Sequence, residues 1–399
     1  MTTPPPTGWI EQALAEHDEH ERGGSRPEAR RATAGVSDRE QQVLDRIDRA
    51  RRRRPKVREE RITMSHGAGG KATHTLIEAV FLDSFRNPLL EPLEDAATLA
   101  VSLAAGPAQV ALTTDSYVVS PLFFPGGDIG ELAVNGTVND LAVSGATPRY
   151  LSAGFILEEG FPVADLTRIA ESMRDAAAAA GVQIVTGDTK VVQRGKADGC
   201  YINTAGVGVF DRDLPAGGLG VAQARPGDAI IVSGPVGDHG ITIMLARGEL
   251  DIEADVVSDT APLNGLVAGL VDRVPGVRAL RDATRGGVAT ILNEIATAAD
   301  VGVLVSEDAI PVRPEVRGAA ELLGIDPMYV ACEGRLVAVV DGNQVDEALA
   351  ALRAHPLGVQ AAVIGRVNGD TPGLVHLKTA FGGTRIVDLL VGDPLPRIC

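Results

Sequence analysis

The sequence predicts an α/β fold, of the α/β or α+β type in two layers, built as two successive domains. Short apolar runs bounded by turn residues alternate with stretches of helical period from about residue 62 onward. Proline and glycine cluster at Asp213–Gly227 and divide that alternation into two halves of the same style. The composition agrees: 45% hydrophobic residues, only 3% aromatic and 46 glycines suit an Ala/Val/Gly-rich enzyme rather than a protein that stacks bases.

Taken in order, residues 1–60 read as a charged, disordered extension. They hold thirteen basic and twelve acidic residues, so the chain's net charge of −16 comes from the remainder, which carries −17. The run Arg51-Arg52-Arg53-Arg54-Pro55-Lys56 reads as a solvated tail because acidic residues flank it. A short helix over Asp38–Arg53, supported by the pairs Asp45–Arg49 and Asp48–Arg52, is expected there, and the single tryptophan, Trp9, lies in the same segment. The first domain, 61–215, opens with a helix over Thr75–Phe85. Strands Thr98–Ala104 and Val110–Thr114, helix Gly130–Gly145 and strand Tyr150–Ile156 follow. Helix Val163–Ala180 stops at Gly181, a usual residue just past a helix end. Strands Val182–Val185 and Tyr201–Phe210 complete this half. The second domain, 222–385, repeats the pattern with strands at 229–233, 277–281, 301–306, 336–340 and 361–367 and helices at 240–247, 263–273, 287–299, 314–323 and 345–354. Residues 386–399 read as a flexible tail in which Pro394 and Pro396 favour an extended form.

Several function classes are excluded. The negative charge opposes nucleic acid. No apolar run approaches the roughly 18–20 residues that span a bilayer, and Met1–Pro6 has no apolar leader core, so no membrane role is expected. Cys200, Cys332 and Cys399 cannot build a disulfide framework, which fits a reducing, cytoplasmic setting. A prenylation box would need its cysteine four from the end, where Pro396 stands.

Four features carry chemistry. Cys399 closes the sequence on a tail that reaches about 3.3–3.6 Å per residue; it is either a frayed end or a thiol presented to an active site. The loop Ser65-His66-Gly67-Ala68-Gly69-Gly70-Lys71 is either an ordinary entry to a helix or a phosphate cradle of backbone N–H groups. It is not a Walker motif, since Ala72 stands where Ser or Thr must hold magnesium. Asp95, Asp115, Asp140, Asp188 and Asp282 stand at strand ends or in glycine-flanked turns; carboxylates without matching His or Cys suit Mg²⁺, although single ones serve as caps. Lys190 and Glu333 are surface charges by spacing alone. Gly206-Val207-Gly208 lacks the third glycine of a dinucleotide fingerprint.

The motifs His66-Gly67-x-Gly69-Gly70, Thr114-Asp115-Ser116, Pro121-Leu122-Phe123-Phe124-Pro125-Gly126-Gly127, Asn139-Asp140-Leu141-Ala142, Thr186-Gly187-Asp188-Thr189-Lys190, Gly237-Asp238-His239-Gly240, Asp282-Ala283-Thr284-Arg285-Gly286-Gly287 and Pro396-Arg397-Ile398-Cys399 occur in this order. In them the chain resembles the HypE family of hydrogenase maturation factors, within the PurM-like ATP-binding superfamily. The likeness spans about residues 65–399. It implies a two-domain PurM-like fold and a homodimer whose N-terminal-domain sheets combine. It implies ATP and Mg²⁺ as cofactors, with HypF as the carbamoyl donor and a HypC–HypD complex as the cyanide acceptor. It also implies an ATP-dependent dehydration of a carboxamide on Cys399 to thiocyanate, which supplies cyanide ligands to the iron of [NiFe]-hydrogenase. By motif position Asp95, Asp115, Asp140 and Asp282 would hold metal. His66, Gly67, Gly69, Gly70, Asn139, Asp188 and Thr189 would meet the nucleotide, and Lys190 and Glu333 would act beside Cys399. Competing readings are another PurM-like enzyme, such as a selenophosphate synthetase or amidine-forming ligase, and a non-enzymatic carrier using the thiol.

Removing residues 1–60 is expected to leave ATP-dependent turnover within about twofold of the full chain, because no motif lies there. A shortened protein that cannot turn over would show that the extension belongs to the working unit.

Overall fold

The structure is a computed structural model that describes residues 57, 61–103, 106–215, 218–248, 254–391 and 397–399. The expected helix at 38–53 and Trp9 lie outside the described residues. Pro55–Cys399 forms one compact unit, and all that follows concerns it.

Among the described residues, the first half of this unit is a five-stranded sheet. Its strands are β1 (Ala97–Leu103), β2 (Gly106–Tyr117), β5 (Thr147–Glu158), β6 (Gln183–Val192) and β7 (Cys200–Val209), in the order β1-β2-β7-β5-β6. Two short strands, β3 (Phe123–Phe124) and β4 (Gly127–Asp128), pair separately before the helices. Before the sheet, α1 (Lys71–Leu76) runs into a wider π-type turn at Ile77–Leu82, where a plain helix was expected. α2 (Ile129–Val143) and α3 (Val163–Ala180) pack on one face of the sheet. Asp128 starts α2 by accepting hydrogen bonds from the Gly130 and Glu131 amides at 2.7 and 3.1 Å. α3 ends at Gly181 with φ 71°, the left-handed stop its sequence signals. The other sheet face keeps Leu112, Tyr150, Ile156 and Val207 exposed, and β6 is open to solvent along nearly its whole length.

The second half forms a seven-stranded sheet among the described residues, in the order β14-β13-β10-β12-β8-β11-β9. The central strands are β8 (Ala229–Val232), β9 (Val277–Asp282), β10 (Gly302–Ser306), β11 (Leu336–Val340) and β12 (Ala362–Asn368). Successive side chains of a strand point to opposite faces, and β8 obeys this. Ile230 and Val232 enter the core formed with α6 (Gly287–Ala298). Ile231 enters the core formed with α5 (Asn264–Val271) and α8 (Val345–Arg353). Helices α4 (Asp238–Ala246) and α7 (Pro314–Leu323) also belong to this half of the sequence, and α4 adds its apolar side chains to the core of the first half. Two strands, β13 (Val375–Lys378) and β14 (Thr384–Val387), were not expected from the sequence; both are four residues long. β6 is ten residues long where its apolar run suggested four, because Thr186–Lys190 continues the pairing with β5.

The halves meet along α2. Asn139 is buried there, and its amide donates to the carbonyls of Ala261 at 3.1 Å and Glu333 at 3.3 Å. Its oxygen accepts from the Leu263 amide at 2.7 Å. Each such bond contributes about 1 kcal/mol, and leaving its buried partner unmet costs more. Asn139→Ala is expected to lower the unfolding free energy by about 2–4 kcal/mol in urea melts. A midpoint equal to that of the unmodified chain would remove Asn139 from the seam.

Candidate active site

Three carboxylates converge where the halves meet. Asp95 lies just before β1, Asp140 on α2 and Asp282 at the end of β9; one oxygen from each lies within 4.8 Å of the others. The set draws on both halves, so it exists only in the folded unit. Thr113 on β2 donates to Asp140 at 2.7 Å while touching the Asp95 carbonyl at 2.8 Å. Arg281, buried beside Asp282, pairs with Asp95 and lies 3.3 Å from Glu94 and 3.7 Å from Glu294. Burial, then mutual repulsion, pushes the Asp140 carboxyl well above the usual range, and the same causes raise Asp282. One buried oxygen of Asp282 has no hydrogen-bond partner. An all-oxygen donor set with an orphaned carboxylate oxygen fits a hard divalent cation such as Mg²⁺.

Asp115, on β2, lines the same pocket but stands outside the converging three, and it accepts from the Ser116 amide at 2.7 Å. Glu333 and Cys399 line that pocket too. Glu333 is fixed by its backbone: its amide donates to Asp259 at 3.0 Å, and the Cys332 amide donates to the Ala283 carbonyl at 2.8 Å. The turn before β11 is thereby tied to the end of β9. Burial, then Asp282, Asp259 and Asp115, pushes the Glu333 carboxyl well above the usual carboxylate range. The Cys399 thiol is also raised by burial, with the Arg285 guanidinium opposing.

The tail departs from its expected form. Arg397–Cys399 is seated, with Ile398 4% and Cys399 8% exposed. The thiol therefore stands among the aspartates rather than at a loose end.

The glycine loop is held by the protein itself. His66 is buried, and its Nδ1 accepts from the Thr63 amide at 3.1 Å, so the imidazole closes the turn Met64–Gly67. Gly69 (φ 74°) and Gly70 permit close approach: a Cβ would stand 2.8 Å from the Arg285 carbonyl oxygen or 2.5 Å from that of Leu390. Lys71, left out of the expected site, pairs with Asp388 while its amide donates to the Leu390 carbonyl at 3.0 Å. Gly67 has open space around it.

Four expected residues stand elsewhere. Asn139 has its amide engaged across the seam and is not free for a nucleotide. Asp188, Thr189 and Lys190 lie inside β6 rather than in a turn, on an exposed strand, with Lys190 paired to Asp188. Within one chain they do not line the Cys399 pocket. Arg281, Arg285, Thr113 and Asp259 serve the site without having been singled out from sequence. Arg281 and Arg285 flank the aspartate of a motif that was noticed, and that adjacency was the available signal.

Paired α/β halves with an acidic crevice at their seam define a class, the AIR synthase related proteins. Residues 93–210 match that family's N-terminal domain and residues 225–377 its C-terminal domain. The carbamoyl dehydratase HypE of Rhizobium leguminosarum bv. viciae is 53% identical over 352 residues, covering 88% of this chain and 99% of the relative. A solved hydrogenase maturation protein HypE in complex with ATP superposes with TM-score 0.70 at 48% identity, covering 85% of this chain and all of that one. A HypE–HypF complex gives 0.73 at 47% identity, covering 79% and 99%. The chain belongs to the HypE family of carbamoyl dehydratases, enzymes with the PurM-like fold.

Gly70→Ala is expected to part the loop from residues 388–390. Hydrogen exchange at the Lys71 amide should then accelerate at least about tenfold with the global melting point little changed. Unchanged exchange would show that the contact tolerates a methyl group.

Proposed function

We propose that this chain uses ATP to dehydrate a carboxamide carried on the Cys399 sulfur, giving a thiocyanate whose cyanide goes to a hydrogenase iron. The carrying observation is that the Cys399 thiol and the aspartates Asp95, Asp115 and Asp140 line one pocket. The balance is Cys–S–C(=O)NH₂ plus ATP to Cys–S–C≡N, ADP and phosphate: the carboxamide oxygen leaves on the phosphate, and both nitrogen protons are lost. Asp95, Asp140 and Asp282 would hold Mg²⁺, with Asp115 beside them, and the ion would neutralise charge on the transferring phosphoryl group.

The protein's own groups divide the remaining work. Arg285 lines the pocket beside Cys399 and offers a positive charge to oxygen as it leaves. Glu333 is assigned the N–H proton. Its carboxyl is pushed up by burial and by the neighbouring aspartates, and it acts as a base in its deprotonated form. The glycine loop, ending on the N-terminus of α1, is assigned to the phosphates. A homodimer through the first sheet is supported by the open β6 and by the exposed Leu112, Tyr150, Ile156 and Val207, a pattern that soluble proteins ordinarily cover. Lys190, Asp188 and Thr189 are assigned to contacts made when β6 meets a second copy. HypF is assigned as the carbamoyl donor, which the solved complex of a HypE relative with HypF supports, and a HypC–HypD complex as the acceptor. No described helix is long and apolar enough to cross a membrane; the cytoplasm is the proposed setting.

Single-turnover dehydration of a chain pre-carbamoylated on Cys399, read as the mass of the C-terminal peptide, tests this. Asp140→Asn should lower the rate at least about a hundredfold, since an amide is a poor magnesium ligand. With Glu333 active in its deprotonated form, the rate should rise with pH through an apparent pKa above the usual carboxylate range. Glu333→Gln should be slow and lack that rise. Thiocyanate formed at the ordinary rate by both variants would sink the assignment.

A further inference from the structure

A main-chain oxygen of each of Arg397, Ile398 and Cys399 is taken up by the body of the protein. The Val118 amide donates to a terminal carboxylate oxygen of Cys399 and the Ser120 amide to the carbonyl of Arg397, each at 3.1 Å, as an added strand would pair. The carbonyl between them, on Ile398, faces the other way and lies 2.6 Å from His239 Nε2. Arg247 spans the junction, donating through Nη2 to the Arg397 carbonyl and through Nε to that of Ser120, both at 2.9 Å. The Ile398 side chain joins the core that contains Val119, Phe124 and Ile241. Arg397 itself makes only a half-exposed pair with Asp198 at 2.7 Å, which contributes little.

His239 is built for one task. A carbonyl can only accept, so Nε2 carries the proton. Burial holds the ring neutral, hence Nδ1 accepts, from Ser258 Oγ at 2.8 Å. Ser258 in turn accepts from the Thr260 amide at 3.1 Å. The Phe124 ring stands across the imidazole at 86° with centroids 5.6 Å apart. The ring is thus fixed in tautomer and in plane, with a single N–H aimed at the tail.

We propose that His239 and Arg247 are positioning residues forming a peptide seat that reads the backbone and isoleucine of an Arg-Ile-Cys sequence, and that this seat also takes such a peptide supplied from outside. Recognition resides in the backbone and one apolar side chain, neither of which requires a covalent link to this chain. The seat fixes the residue next to Cys399, leaving the side-chain torsions of Cys399 to aim the sulfur. Its bearing on catalysis rests on the reading of Cys399 as the reacting residue; its binding does not.

The test uses the full chain and the native rate of Cys399 alkylation by iodoacetamide, read by mass spectrometry. The buried thiols Cys200 and Cys332 report global opening. His239→Phe keeps the ring and removes the donor, and Arg247→Ala removes the span. Each should raise Cys399 labelling about tenfold, since one net hydrogen bond is worth about 1 kcal/mol or slightly more. His239→Gln, which restores an N–H, should return labelling to within about threefold of the unmodified chain. The peptide acetyl-Pro-Leu-Pro-Arg-Ile-Ser should also raise labelling, saturably and at millimolar concentration, because the tethered tail competes at about that effective concentration. The same peptide with Asp for Ile should not. Unaltered labelling in Arg247→Ala together with no peptide effect on the unmodified chain overturns the seat. If His239→Phe exposes Cys200 and Cys332, the Arg247 and peptide results decide. A seat that behaves as described in a protein whose carbamoylated Cys399 never loses water would instead overturn the proposed function alone.

Discussion

Three carboxylates held within 4.8 Å of one another at a buried seam set the terms for the rest of the molecule. Like charges at that spacing repel strongly where water is scarce. The fold holds them from behind. Arg281 grips Asp95, Thr113 bridges Asp140 to the Asp95 backbone, and Asp282 is locked at the end of a strand whose every residue is paired or buried. What cannot be relieved from behind is left facing the pocket, where a cation and a nucleotide have a reason to bind. Burial raises the Glu333 carboxyl first, and the same crowding of Asp282, Asp259 and Asp115 raises it further.

The second theme is how a reacting thiol is aimed without being placed on a rigid element. Cys399 belongs to a segment with no secondary structure of its own, yet its backbone is paired like a strand and its neighbour Ile398 is sunk in a core. Rigidity is borrowed from Val118 and Ser120 just past β2, from the start of α4 and from Arg247 at the end of that helix. The same device appears at the glycine loop, which the chain holds at Leu390, two residues past the Asp388 that pairs with Lys71. The loop and the root of the tail are therefore mechanically joined.

Much of the fold was legible because apolar period and turn chemistry agree locally. α3 with its Gly181 stop and the buried strands of the second half are examples. β13 and β14 were not, because a four-residue strand has too few positions to display a period. β6 was truncated in reading because Thr186-Gly187-Asp188-Thr189-Lys190 is polar and looks like a turn; it stays extended because β5 supplies the hydrogen bonds. In the site, aspartate identity was legible and convergence was not, since Asp95, Asp140 and Asp282 are far apart along the chain. His66 and Asn139 show the opposite case. Both sit inside telling motifs, yet the fold uses Nδ1 of His66 to close a turn and the side-chain amide of Asn139 to join two halves. A motif says that a residue type is needed at a place and leaves open whether a ligand or the backbone needs it.

The Asn139 seam bears on how such proteins can be recombined. Its three bonds reach Ala261, Leu263 and Glu333, main-chain groups of the other half whose positions depend on that half's loops. A chimera joining the first half of one relative to the second half of another inherits the amide but not necessarily carbonyls at the matching places. Since Glu333 is both an anchor of the seam and a wall of the pocket, a misfit there would shift the site before it unfolded the protein. The halves can be told apart as modules, but they must be inherited as a matched pair.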